Sequence, residues 1–305
     1  MPIKHAYQVT GVDDATKQVS KDRWNAEHSI DTFVELPETT DPTAPAVGLR
    51  WYAKRIGGRV MTKQIGPSGV DTPLQPFLGM NHARILSVGT GTTAALIVSP
   101  IATAFTAAAT TFTQPTPATG TRKAKMRLSS LATSAVAGQI AYIKGNTLEC
   151  ARETGFFLVI RATLDTLAVG NLGFFGLWSS VTALTATTNP VTAVTARVGL
   201  AFQVNTGNWQ LVVADGAAVT ALDLGANFPI NTTDILEIVL FSAPGGADIK
   251  YRITNMTTGS EVSNTLAATL PGATTYMTFH ETMSNNATAG IVKFSHKALY
   301  LETDD

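Results

Sequence analysis

"VGLAFQVNTGNWQLVVADG", Val198 to Gly216, sets two apolar runs on either side of the turn phrase Asn205-Thr206-Gly207-Asn208 and closes the second run with Asp215-Gly216. Each run is too short for a helix and rich in Val, Phe, Leu or Trp, which suit a pleated, buried surface. Gly and Asn supply the backbone freedom that a tight reversal needs. The stretch therefore reads as two antiparallel strands joined by a turn. The same grammar recurs at Gln139–Ile143, Gly155–Thr163, Gly173–Trp178, Ile235–Phe241, Asp248–Asn255, Tyr276–His280 and Ile291–Leu301, with "APGG" and "TTG" as further turns. Many short strands at this spacing predict an all-β chain with a β-sandwich over residues 130–305. No βαβ alternation occurs, which excludes Rossmann and TIM-barrel architectures.

The chain has 305 residues, enough for one large all-β domain and an appendage. Lys+Arg and Asp+Glu are both 22, and charged residues make up only 14%, well below the ~25% of an ordinary soluble domain. Such a surface suits a protein that hides much of itself against sister subunits. A single cysteine, Cys150, excludes an internal disulfide framework and a multi-cysteine metal site, and it reads as a small buried hydrophobe. The first thirty residues lack the apolar run of a secretory signal, so synthesis in the cytosol is expected. Ser87 to Thr121 contains no charge, yet Pro100 and scattered Thr break it, so it does not read as a membrane span. It reads as strands or extended chain packed within an oligomer. The divisions expected are 1–84, 85–129 as an Ala/Thr-rich connecting segment, and 130–305.

Gly48 to Gly69, "GLRWYAKRIGGRVMTKQIGPSG", gathers Arg50, Lys54, Arg55, Arg59 and Lys63 with no acidic residue. Leu49–Lys54 and Arg59–Ile65 are strand-like, and Gly57-Gly58 between them can take the positive φ of a tight hairpin. Alternation puts Arg50, Tyr52 and Lys54 on one face and Leu49, Trp51 and Ala53 on the other. A nucleic-acid partner would suit cations interleaved with aromatics. However, residues 1–84 hold 10 basic and 9 acidic side chains, with the acids crowded just before the ribbon, whereas phosphate binding rewards net positive charge. Docking to an acidic protein surface, cover by the acidic segment of the same or a neighbouring subunit, and an idle solvated hairpin are the readings that remain.

"IKHAYQV" at Ile3–Val9 and "KDRWNAEHSI" at Lys21–Ile30 resemble the N-terminal segment of tailed-bacteriophage tail-fibre and virion proteins. The basic hairpin leading into "IGPSGVDTPLQPFLG" at Ile65–Gly79 is similar to the strand pair that follows there. Residues 130–305, ending in "HKALYLETDD", look like the lectin-like jelly-roll domains of phage fibres and spikes. The resemblance implies a virion structural protein, usually a homotrimer, assembled in the bacterial host cytoplasm. Its N-terminal region would dock to tail or capsid proteins through Arg50, Lys54, Arg55, Arg59 and Lys63, and its jelly-roll would touch a host cell-surface glycan or protein. A head fibre, capsid decoration or baseplate component without specific receptor binding is the alternative. No nucleic-acid partner, membrane insertion or cofactor is expected.

Catalytic phrases are sparse, and the chain reads as a non-enzyme. "GPSG" is not a G-x-S-x-G elbow, and Ser284 stands where H-E-x-x-H needs its second histidine after His280-Glu281. His280 and His296 are the two histidines that separate strands could bring together. Glycan cleavage needs two carboxylates flanking a sugar bond, and Glu149, Glu153, Asp165, Asp215, Asp223, Asp234, Glu237, Asp248 and Glu281 are available, none marked by its neighbours. Non-catalytic sugar binding would use an aromatic platform beside amides. Trp178 and Trp209, with Asn205, Asn208, Asn285 and Asn286 on nearby turns, are the candidates for a surface ligand, against a core-filling role for both indoles.

Overall fold

A computed structural model describes residues 36–67, 71–73, 82–90, 93–98, 106–108, 111–113, 129–132, 135–203 and 207–304. The phrases at Ile3–Val9 and Lys21–Ile30, the Leu-Gln-Pro phrase and Asn205 lie outside these residues. The described residues form strands and no helix, so no helix among them is long and apolar enough to cross a membrane. Two compact units are present: Met1–Lys54 with Val60–Gln75, and Arg55–Arg59 with Pro76–Asp305.

The smaller unit is built on the basic hairpin. Strands β1 (Arg50–Ile56), β2 (Arg59–Ile65) and β3 (Asp71–Pro73) form a three-stranded sheet in that order. Gly57 and Gly58 both turn with positive φ, 56° and 95°, as the hairpin reading requires. Glu38 bridges Ala53, and the Thr39 amide donates to the Ala53 carbonyl at 2.8 Å, so chain preceding the hairpin covers the free edge of β1. Burial does not divide along the basic and apolar faces that the sequence suggests, and Ala53 is as buried as Tyr52. Tyr52, Met61 and Lys63 are covered, whereas Trp51 is 65% and Val60 45% exposed.

The larger unit stacks two antiparallel sheets. In one, the path is β17 (Glu261–Leu266), β16 (Ile249–Asn255), β15 (Ile235–Ser242), β10 (Phe156–Thr166), β19 (Lys293–Asp304), β4 (His82–Thr90) and β5 (Thr93–Val98). Strands β7 (Thr111–Thr113) and β8 (Ser129–Ala132) complete it: β8 pairs the first half of β19 and β4 the second. The other sheet runs β14 (Val219–Asp223), β13 (Gln210–Ala214), β12 (Arg197–Gln203), β11 (Leu172–Trp178), β18 (Thr278–Ser284), β9 (Ile140–Lys144) and β6 (Thr106–Ala108).

Period-two alternation sends Leu158, Ile160, Ile238, Leu240, Ile253 and Leu301 from the first sheet toward Ile143, Phe175, Leu177, Leu200, Leu211 and Phe279 from the second. They form one continuous core, crossed by Phe175 edge-on to Phe294 at 5.5 Å. This is the sandwich expected from the sequence. Three features differ from that reading. The polar edge strands β14 and β17 were not anticipated. Strand β18 continues to Ser284 instead of stopping at His280. Finally, the described strands within and around residues 85–129 pair with the sandwich: β4 and β5 extend the nine-stranded sheet and β6 the seven-stranded one.

Candidate functional site

On the seven-stranded sheet, β11 and β12 are neighbours and could be joined by a two-residue turn, since Trp178 pairs directly with Arg197. Instead the chain makes an excursion from Ser179 to Ala196, whose ends are tied by Ser179 N donating to Ala196 O at 3.0 Å. Irregular connections of this length with closed ends behave as Ω-loops and are usually functional. The excursion, here called the strap, lies over the outer face of the sheet. Its Leu184, Val191 and Ala193 pack on Phe174, Trp178, Ala201 and Val212.

The face beneath the strap follows from strand parity. While Phe175, Leu177, Val198 and Leu200 point inward, the alternate residues Phe174, Trp178 and Arg197 point outward, with Thr278, His280 and Thr282 beside them on β18. Arg197, Trp178 and Thr278 stand in one row, and Gly199, Gly176, His280 and Lys144 in the next. The two glycines are required by close approach. A Cβ on Gly176 would lie 2.3 Å from the Val198 carbonyl oxygen, and one on Gly199 would lie 2.5 Å from that of Phe175. The Phe174 ring sits above both, 3.1 and 3.0 Å from those absent Cβ positions, and meets Trp178 edge-on at 5.1 Å.

Arg197 is completely buried, and among the described residues no carboxylate bonds it. Its guanidinium lies 4.9 Å over the Trp178 ring, Nε donates to Pro190 O at 3.0 Å, and Nη1 donates to Thr195 O at 2.9 Å. Burial lowers its pKa to about 10, so it stays charged at neutral pH. His280 Nε2 donates to Ser180 O at 2.7 Å. Burial, aided by the Lys144 charge and opposed by the Ser180 bond, takes its pKa down to about 4, and the ring is neutral. Ser284 donates to Ala186 O. Arg197 Nη2, His280 Nδ1, Thr278 Oγ1 and Thr282 Oγ1 are buried with no partner among the described residues. The sheet face thus offers guanidinium and hydroxyl donors, the His280 Nδ1 acceptor and aromatic surface, and the strap answers with carbonyl oxygens.

The five cations of the ribbon have partners within the chain. Lys54 bonds Asp41, Lys63 lies 3.8 Å from the same carboxylate, and Tyr52 donates to it at 3.1 Å. Burial alone would raise the Asp41 carboxyl. The bonds from Lys54 and Tyr52 and the charges of Lys54 and Lys63 overcome this and hold it below the ordinary value. Burial and Asp41 together push the Tyr52 phenol up to about 12. Arg59 grips Glu302, Arg50 donates to Thr43 O at 2.9 Å, and Arg55 donates to Gly58 O at 2.9 Å. Cover by a preceding acidic residue, one of the sequence readings, is therefore seen within the same chain for Lys54 and Lys63.

The other candidates fall in the interior or in turns. Trp209 fills the core between Phe175 and Phe202, at 5.7 and 4.8 Å. Trp178 is also buried, but under the strap. His280 and His296 do not meet: His280 faces the strap, and His296 turns into the core, where Nδ1 lies 2.8 Å from both oxygens of Glu281. Glu237 is held by Arg161 and Arg252. Asp215 caps the amides of Ala217 and Ala218, and Asn285 binds the Val136 and Gly290 carbonyls. Burial and the Glu149 charge raise the Cys150 thiol, which leaves it unreactive in the core. No group of three or more His, Cys, Asp or Glu able to hold a metal occurs among the described residues. The buried cation Arg197 was missed by sequence reasoning, although its position on the opposite parity to the apolar Val198, Leu200 and Phe202 marks it for the outer face.

No family model matches the chain, and no curated protein matches it. Among solved structures it is similar to a Shewanella oneidensis MR-1 protein of unknown function, with TM-score 0.49 and 12% identity over 75% of this chain and 90% of that one. It is also similar to peanut lectin, with TM-score 0.45 and 9% identity over 73% and 97%. Arcelin-5, a lectin-like defence protein from Phaseolus vulgaris, gives TM-score 0.47 and 7% identity over 73% and 98%. The likeness is one of lectin-like β-sandwich architecture. What the site can do follows from this chain's own residues.

Proposed function

We propose that the chain is a non-enzymatic binding protein of a tailed-bacteriophage virion, a trimeric tail fibre or receptor-binding protein. Its N-terminal unit attaches to the particle and its sandwich contacts the host surface. The observation that carries this reading is the open apolar face of the hairpin. Leu49, Trp51 and Val60 are exposed there with no acid between Gly48 and Gly69, while the five ribbon cations are engaged within the chain. Exposed large apolar groups grouped in this way mark an interaction surface. Its chemistry fits an apolar patch on the virion surface, which shifts the docking role from the five cations toward Trp51 and Val60. The N-terminal phrases support a virion context, and assembly in the bacterial cytoplasm follows from that context. The commitment of Glu237 and Glu281 to Arg161, Arg252 and His296 supports a non-catalytic sandwich.

The alternative is a structural fibre, decoration or baseplate component without a specific receptor. Light scattering after gel filtration is expected to give a mass near three times the 32.1 kDa chain; a stable monomer overturns the fibre reading. Trp51→Ser with Val60→Ser is expected to remove the protein from particles, while Lys54→Ser leaves it there. Purified protein is expected to compete with phage adsorption to its host cells, and a lack of competition favours the receptor-free alternative. Any shortening of host polysaccharide by the protein would overturn the non-enzymatic assignment.

A further inference from the structure

The strap holds no charged residue from Ser179 to Ala196, yet it covers the buried, charged Arg197. A fully buried cation is retained at low cost only when a counter-charge or a full set of acceptors meets it. Here two strap carbonyls meet Nε and Nη1, and Nη2 has no partner among the described residues. Thr278 and Thr282 hydroxyls and His280 Nδ1 have no partner among the described residues and stand on the same face. Lys144, in the His280 row, adds a second cation, and burial lowers its pKa.

The strap bonds this face through the carbonyls of Ser180, Ala186, Pro190 and Thr195, which places acceptor oxygens over a donor-rich aromatic sheet. A ligand with many oxygens, a ring to lie on Trp178 and Phe174, and a carboxylate for Arg197 would satisfy the face better than the strap does. We propose that the outer face of the seven-stranded sheet is a binding site for a carboxylated saccharide, and that the Ser179–Ala196 strap is its lid, occupying the site as an uncharged stand-in until ligand displaces it. Arg197 takes the carboxylate, His280 and the two threonines take ring hydroxyls, and Leu184 is the apolar latch that ligand must lift. This site is independent of the hairpin surface and of any virion context. Failure of the adsorption assay would leave it standing, and its own failure would leave the fibre reading standing.

The test uses the full chain and oligogalacturonate as the acidic probe, with maltooligosaccharide as the neutral one. Calorimetry is expected to show binding of the acidic probe at least tenfold tighter than the neutral one, and equal affinities overturn the assignment. Leu184→Ser loosens the lid and is expected to raise affinity about tenfold, whereas Arg197→Gln abolishes binding. A merely structural role would move both variants in the same direction. Circular dichroism establishes that each variant is folded. If the folded Leu184→Ser chain binds no acidic probe, the proposal is overturned. Hydrogen exchange at residues 180–195 is expected to speed up when the probe binds, and slower exchange there removes the lid.

Discussion

Arg59 and Glu302, 243 positions apart in the chain, meet in a two-point ion pair, with Nη1 to Oε2 at 2.7 Å and Nη2 to Oε1 at 3.1 Å. The guanidinium also lies 5.3 Å over the Phe157 ring, and Tyr300 donates to Glu302 at 2.6 Å. Arg59, Phe157 and Glu302 line a cleft of about 210 Å³ with Phe241 and Pro244. The arginine at the hairpin tip is thus both paired and stacked. Arg59→Ala strips the guanidinium from a largely buried carboxylate and is expected to cost about 2 kcal/mol in urea unfolding. Arg59→Lys should recover less than half of that, because an ammonium cannot make the paired contact.

The core pair Glu281 and His296 joins β18 to β19 across the sandwich, with both side chains fully buried. Removing one member leaves the other without its partner in an apolar interior. His296→Leu is expected to cost about 3–5 kcal/mol, and the double variant with Glu281→Leu should regain most of it. Equal losses for the single and double variants in a denaturation cycle would refute the coupling.

His280 gives a pH dependence whose sign is fixed. Its folded pKa is about 4 against 6.5 when unfolded, so between these values the unfolded chain binds more protons. Stability from this group is complete above pH 6.5 and is lost as pH falls toward 4, by about 3 kcal/mol in total. Urea midpoints measured at pH 7.5 and 4.5 should show this drop, and His280→Gln should remove that share of it.

Gly199→Ala places a methyl 2.5 Å from the Phe175 carbonyl oxygen, where only backbone movement can relieve it. Overpacking of this kind is expected to cost about 3 kcal/mol. For a unit of this size, that corresponds to a fall in Tm of roughly 6–12 °C. Gly216→Ala, in a turn with open space around it, tests φ strain alone and should cost less.

Strands with continuous or alternating apolar residues, such as β10, β12 and β15, were legible in the sequence to within a few residues at their ends. Edge strands β14 and β17 were not, because "VTALD" is largely exposed and "EVSNTL" has only Val262 and Leu266 to mark its core-facing side. The three-residue strands β6 and β7 lie in Ala/Thr-rich chain that offers no period to read. The hairpin was legible, yet which of its side chains are covered depends on Asp41, nine or more residues upstream. Glu281 carried an unused signal: it falls on the inward parity of β18 between Phe279 and Met283, so an acid there demanded a partner across the core. The site beneath the strap had no such mark, since Leu184 and Val191 are isolated in a threonine-rich stretch and their burial arises only from tertiary packing.

The bond from Ser179 to Ala196 closes the β11–β12 ladder below the strap, so the sheet is complete whatever chain is spliced between those two residues. Lengthening a closed loop is inexpensive, about 0.6 kcal/mol per doubling. That makes this junction a natural port for variation: related chains can exchange the covering segment, and with it the chemistry shown to the outside, while inheriting an unaltered scaffold.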